Sequence, residues 1–175
     1  MTSTERPSCI AHWTEIEGPD DDRYAGDDEL MAIGAPFGRH FGLQRLGIHH
    51  HRLPPGRRTS FPHAESAEEE FVYVIEGTPD AWLDGKLFRL KPGDGVGFPA
   101  GTGLSHSFLN NTETDVRLLV VGETHKPQNR VFYPRNPDRR VLRQDWWDDP
   151  PRRTLGDHDG LTDKVRAEKA RRKND

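Results

Sequence analysis

Residues 56–77, GRRTSFPHAESAEEEFVYVIEG, decide how the rest of this chain is read. The run Phe71-Val72-Tyr73-Val74-Ile75 is β-branched and aromatic and is closed by Gly77, which reads as a strand. Side chains alternate faces along a strand, and this run is apolar at both parities, so both faces need cover. One face looks into a core; the other needs an arm of the chain or a second subunit. Glu70 shares the parity of Val72 and Val74, which aims it inward. Before it, His63 and Glu65 are two residues apart and face the same way on extended chain.

Outward from this stretch, short runs of β-formers recur at Leu46–Ile48, Ala81–Leu83, Leu87–Leu90 and Val116–Val121. Turn residues separate them: Pro54-Pro55-Gly56, Asp84-Gly85, Pro92-Gly93-Asp94-Gly95 and Asn110-Asn111. Asp84-Gly85 predicts a two-residue hairpin turn, whose central positions both need positive φ. Strands spaced roughly 8–12 residues apart, with no helical pattern between them, point to an antiparallel sandwich or barrel. A second chemical stretch, residues 93–110, reads GDGVGFPAGTGLSHSFLN. There His106 shares a face with Phe108 and Asn110. His63, Glu65, Glu70 and His106 together describe a metal site with imidazole and carboxylate ligands.

At these residues the sequence resembles the cupin superfamily. The family's first motif is G, about five residues, H-x-H, three or four residues, E, six residues, G. Here Gly56, His63, Glu65, Glu70 and Gly77 follow it, with six residues between Gly56 and His63. The second motif is G, five residues, P-x-G, two residues, H, three residues, N. Gly93, Pro99, Gly101, His106 and Asn110 follow it with two extra residues before the histidine. The match covers about half of the chain, and the wording around it is similar to small single-domain bacterial cupins labelled sugar-phosphate-isomerase-like. The resemblance implies an all-β, double-stranded β-helix barrel (jelly-roll-like), usually dimeric, holding one divalent metal ion near its mouth.

The chain departs from the motif at one ligand position, where Glu65 replaces the second histidine. If Glu65 ligates, the site holds two carboxylates and a divalent ion keeps no net formal charge. It then polarises bound oxygens less, and harder ions are preferred. If Glu65 does not ligate, His63, Glu70 and His106 form a two-histidine, one-carboxylate set with open positions, and Glu65 becomes a candidate catalytic acid/base. A site that no longer holds metal is the third option. Zinc, manganese, iron and nickel all stay open.

Hydrophobic residues make up 32% of the chain and charged residues 31%, too polar for compact folding along its whole length. A core with arms is expected: 1–36 as an acidic N-terminal arm, 37–133 as the barrel, 134–175 as a C-terminal extension with a charged tail. Residues 15–29 carry eight acidic residues and one Arg, and read as a solvated arm. Residues 161–175 read as a frayed tail. Trp146 and Trp147 are adjacent indoles, so at least one should pack back onto the domain or an interface. A net charge of −4 argues against nucleic acid as a partner. No apolar run reaches the roughly 20 residues that cross a bilayer, and no secretory signal is visible, so no membrane association and a cytoplasmic location are expected. Cys9 is the single cysteine and reads as inert.

Other residues have duller readings. His49, His50 and His51 alternate faces on a strand and cannot all chelate one ion, so they read as a structural or interface feature. Arg57 and Arg58 could grip a phosphate or carboxylate at the barrel mouth, although loop arginines are more often ordinary surface residues. Phe61, Trp82, Phe98 and Phe108 read as core or pocket lining, and Asn110 as a turn residue. The favoured function is a metal-dependent cupin acting on a small polar metabolite by isomerase- or lyase-type chemistry. A non-catalytic small-molecule sensor and an Fe(II) dioxygenase are the alternatives. A homodimer is expected because the strand at 71–75 is apolar on both faces.

Overall fold

The computed structural model describes residues 6–172. The first element is a short helix, α1 (Trp13–Ile16), followed by β1 (Ile33–Ala35) and a second short helix, α2 (Phe37–His40). Nine further strands follow: β2 (Leu46–Leu53), β3 (Ala64–Glu65), β4 (Glu70–Glu76), β5 (Asp80–Leu83), β6 (Lys86–Arg89), β7 (Gly95–Phe98), β8 (His106–Leu109), β9 (Val116–Glu123) and β10 (Val131–Phe132). A 3-10 turn at Pro137–Leu142 and helix α3 (Asp163–Arg172) complete it.

One sheet has the order β1-β2-β9-β4-β7, and every pairing in it is antiparallel. The second is built from β6-β5-β8 and from β10-β3, joined by backbone bridges Arg58↔Leu109 and His63↔His106. The chain thus shuttles between two antiparallel sheets, as the expected double-stranded β-helix requires. Between them lies a core of Leu53, Val72, Val74, Phe98, Phe108, Val116 and Leu118. The alternation in β4 is as the sequence reads: Val72 and Val74 are buried, whereas Phe71, Tyr73 and Ile75 are 44%, 40% and 43% exposed. Asp84 and Gly85 turn β5 into β6 with φ of 45° and 83°, the two positive values the hairpin needs.

The N-terminal acidic stretch is solvated only in part: Asp21, Asp22 and Asp28 are exposed, but other carboxylates are tied to the barrel. Glu17 pairs with Arg52, Asp20 with Arg57, and Glu29 with Arg58. Tyr24 stacks on Phe61 at 4.0 Å, within a second cluster of Met31, Phe61, Val131 and Tyr133. A run of carboxylates looks solvated until its guanidinium partners, some 30 residues away, are brought beside it. The same pairing corrects the alternative for Arg57 and Arg58: the oxyanions they grip belong to the chain itself. The C-terminal residues are also tied down. Trp146 packs against Phe132 and Tyr133. Trp82 Nε1 donates to the His158 carbonyl and Arg153 pairs with Asp84, which straps this segment to β5; every residue of the adjoining β8 is buried. Within the expected frayed tail, Thr162 is fully buried and donates to the Gly56 carbonyl at 2.7 Å. Helix α3 beyond it buries no residue.

Candidate metal centre

His63, Glu70 and His106 each bring one ligand atom into a group in which all lie within 4.8 Å of one another. Neighbouring elements impose the convergence. His63 and His106 sit opposite each other as a backbone pair, each N–H donating to the other's carbonyl at 3.1 and 2.8 Å. Glu70 begins β4 and points inward beside Phe98, its cross-strand neighbour on β7. Phe98 stacks on the His106 ring at 3.5 Å with an interplanar angle of 11°, which fixes that imidazole's plane.

The donor chemistry fits a divalent cation. The His63 Nδ1–H donates to the Phe61 carbonyl at 2.9 Å, leaving Nε2 as the free lone pair. Burial first, and then the neighbouring His106, lowers the His63 pKa to about 4, so at neutral pH the ring is an uncharged donor. Burial opposes charge on Glu70, but the hydrogen bond and charge of His106 outweigh it, and its pKa falls to about 2. Glu70 Oε1 faces His106 Nε2 at 3.1 Å. The ring either donates its Nε2–H to that carboxylate or, with Nε2 unprotonated, presents a lone pair that shares a cation with it. These three residues could hold one divalent ion.

Glu65 lies outside this group of three. It lines the same small enclosed space as Glu68, Glu70, Phe98, Leu104 and His106. Burial, then the charges of Glu68 and Glu70, raise its pKa to about 7. A carboxyl poised near neutrality beside a cation site is suited to carrying a proton. Sequence reading missed what supports it. β10 pairs with β3 and holds Glu65 opposite Val131, while Asn129 Oδ1 accepts from the Ala67 N–H at 2.9 Å and fixes the turn after Glu65. No local signal marks Asn129, because its partners lie some 60 residues earlier. Asn110 serves the turn, as expected, donating to the carbonyls of Leu53 and Thr114.

The three consecutive histidines divide. His50 faces outward and lies under Trp13 of α1, with ring centroids 4.6 Å apart. His49 and His51 pair opposite Val120 and Leu118 and share the inner face with them. The parity of Leu53, a core residue in the same strand, would have placed them there.

The metal-free protein should be acid-sensitive. The His63 and His51 pKa values are lowered to about 4 from 6.5, so the unfolded chain takes protons first as pH falls from 6.5 to 4, and stability is lost across that window. Glu70, lowered from 4.5 to about 2, adds to the loss below 4.5. Glu65, raised to about 7, works oppositely and stabilises the acid side. Melting temperatures in chelator should therefore fall from pH 6.5 to 4, and more steeply in Glu65→Gln. A flat profile would contradict the buried, neutral imidazoles.

Comparison with known proteins agrees with this fold. The Cupin domain family matches residues 49–122, which span both motifs. Polyketide synthase CurC of Streptomyces cyaneus is 32% identical over 94 residues, 54% of this chain and 56% of that protein. The crystal structure of a sugar phosphate isomerase from a cupin superfamily, from Silicibacter pomeroyi, is 33% identical with a TM-score of 0.56. It covers 58% of this chain and 64% of that one. The polyketide cyclase RemF of Streptomyces resistomycificus, 22% identical, shares the fold with a TM-score of 0.58 over 78% of this chain and 94% of its own. The chain spans little more than half the length of CurC. Two facing antiparallel sheets, both motifs in order and a His-His-Glu group at their junction go with the family match and mark residues 49–122 as a domain of the cupin fold.

Proposed function

We propose that this cupin is a metal-dependent enzyme that moves a proton on a small, oxygen-rich carbonyl compound. The observation that carries the reading is the placing of Glu65, raised to about 7, in the same enclosed space as Glu70 and His106. A divalent ion held by His63, Glu70 and His106 supplies polarisation of adjacent substrate oxygens when bound. Glu65 Oε takes the proton from the carbon beside the carbonyl, the C–H electron pair forms the new C–C double bond, and the carbonyl π pair moves onto its oxygen, giving an enolate. With a hydroxyl on that carbon, passing the hydroxyl proton to the enolate oxygen and returning the Glu65 proton to the former carbonyl carbon completes an isomerase-type step; re-forming the carbonyl as a β-hydroxyl leaves, protonated by Glu65 to water, completes a lyase-type step. Phe98 and Leu104 keep bulk water from the transfer.

CurC's name points to polyketide carbonyls, and the Silicibacter protein's name to a phosphorylated sugar. The ion pairs favour the unphosphorylated class, because Arg57 and Arg58 are already held by Asp20 and Glu29. The test is deuterium uptake, followed by NMR, into the methyl group of 2,4-dihydroxyacetophenone, an aromatic hydroxy-ketone, with the metal-loaded protein in heavy water. Glu65→Gln should keep its metal and slow exchange by about 10²–10⁴-fold, the usual worth of a positioned acid/base. Binding without exchange would favour a sensor. Loss of metal in the variant would make residue 65 a ligand.

A homodimer and a cytoplasmic location belong to the same proposal. Phe71, Tyr73 and Ile75, with Leu46 at 45% exposure, leave an apolar outer face on the five-stranded sheet. No helix of the described residues is long and apolar enough to cross a membrane. Light scattering at micromolar concentration should give twice the 19.9 kDa chain mass, and Phe71→Lys should halve it. A monomeric wild type would refute the dimer.

A further inference from the structure

Two imbalances inside the fold remain after the metal centre is accounted for. First, His51 Nδ1 is sealed from solvent with no hydrogen-bond partner among the described residues. Its neighbour on the same face, His49, has its ring centroid 5.6 Å away. Buried polar atoms are nearly always satisfied, and an orphan costs the desolvation of the group. Burial lowers both imidazoles' pKa values, His51 to about 4, so the pair is uncharged at neutral pH and can both donate and accept. Second, one row across the five-stranded sheet has no inward side chains between β2 and β4. Gly47 pairs with Gly122, and Gly122 with Glu70. A Cβ on Gly122 would meet only the Glu69 carbonyl at 3.5 Å; one on Gly47 would meet two carbonyls and then His49 Nε2 at 3.9 Å. The His49 ring therefore leans toward the row that ends at Glu70.

We propose that His49 and His51 contact the bound small molecule, forming the wall of a lane between the sheets that runs over Gly47 and Gly122 to Glu70. The inference rests on the metal-centre reading for the ligand's other anchor. Two strand spacings separate Glu70 from β2, about 10 Å of backbone, which suits a ligand of one or two rings. Its oxygens meet the cation side at Glu70, and its far carbonyl or hydroxyl supplies the partner that His51 lacks. Val72, Val120 and Leu118 make the lane's floor apolar. Uncharged imidazoles on an apolar floor select neutral, oxygen-bearing rings over phosphorylated compounds.

The test uses full-length protein loaded with zinc or manganese and titrated calorimetrically with 2,4-dihydroxyacetophenone. His49→Leu, His51→Leu and Gly122→Val should each weaken binding at least tenfold while metal per chain stays unchanged. In chelator, without ligand, His51→Leu should melt at or above the wild-type temperature, because it removes an unsatisfied group at similar volume. Affinities within twofold of wild type would overturn the proposal. Loss of metal from the histidine variants would also overturn it, since it would put them in the cation site. So would a marked fall in the metal-free melting temperature of His51→Leu, since the ring would then be structural. If wild type does not take up this probe, the proposed substrate class falls, and the melting comparison still decides the place of His51.

Discussion

Replacing His106 by alanine is expected to strip the protein of stoichiometric metal. The ring faces Glu70 Oε1 through Nε2 at 3.1 Å and is 3% exposed, so its loss removes a donor that no other residue in the group of three can replace. Loss of even a residue that only orients a ligand costs about 10–100-fold in metal affinity, and loss of a ligand should cost more. Elemental analysis of protein purified without a histidine tag should show metal per chain falling to background. Unchanged content would refute the assignment. The substitution also empties the space under Phe98, so Glu70→Gln, which keeps shape and removes charge, is the companion variant. It should lose metal while retaining the far-ultraviolet circular dichroism of the wild type. Added metal should raise the melting temperature of wild type, by mass action on the folded state, and leave both variants unmoved.

The second large effect concerns stability. Arg58 is enclosed, with a side-chain exposure of 2%, and binds both carboxylate oxygens of Glu29 at 2.7 Å, the Gly160 carbonyl at 2.7 Å and the face of Phe61 at 4.6 Å. One guanidinium therefore joins the N-terminal arm, the loop leading to His63 and the C-terminal strap. Arg58→Met would leave Glu29, itself 8% exposed, as a charge with no partner. Breaking a buried pair from one side costs about 3–5 kcal/mol. At about 2–4 °C per kcal/mol for a chain of this size, the melting temperature should drop by roughly 6–20 °C. The double variant Arg58→Met/Glu29→Leu should recover most of the loss, since removing both charges removes the desolvation penalty as well. A single variant that melts within a degree of wild type would show that the arm is not held through this residue.

Much of the fold was legible because strands write it locally. The alternation of Val72 and Val74 with Phe71, Tyr73 and Ile75, and the Asp84-Gly85 turn, depend only on neighbours in the chain. The inward aim of Glu70 follows from the same parity. What could not be read this way are the charged arms. Glu17, Asp20 and Glu29 look like solvated carboxylates until Arg52, Arg57 and Arg58 stand beside them. The three histidines at 49–51 were legible as alternating, yet which face is the inner one depends on pairing with β9.

The sequence alone determined an all-β chain of short antiparallel strands and the two separated stretches that carry imidazoles and carboxylates, because period-two alternation and turn chemistry act over a few residues. The tertiary structure decided which of those groups meet. His63 and His106 are 43 positions apart in the chain and adjacent only because their backbones pair. Glu65 stays outside the group that Glu70 joins, though both carboxylates lie on the same short stretch. Convergence depends on sheet curvature and on the strap at 131–162, and neither leaves a mark within reach of a single strand's periodicity.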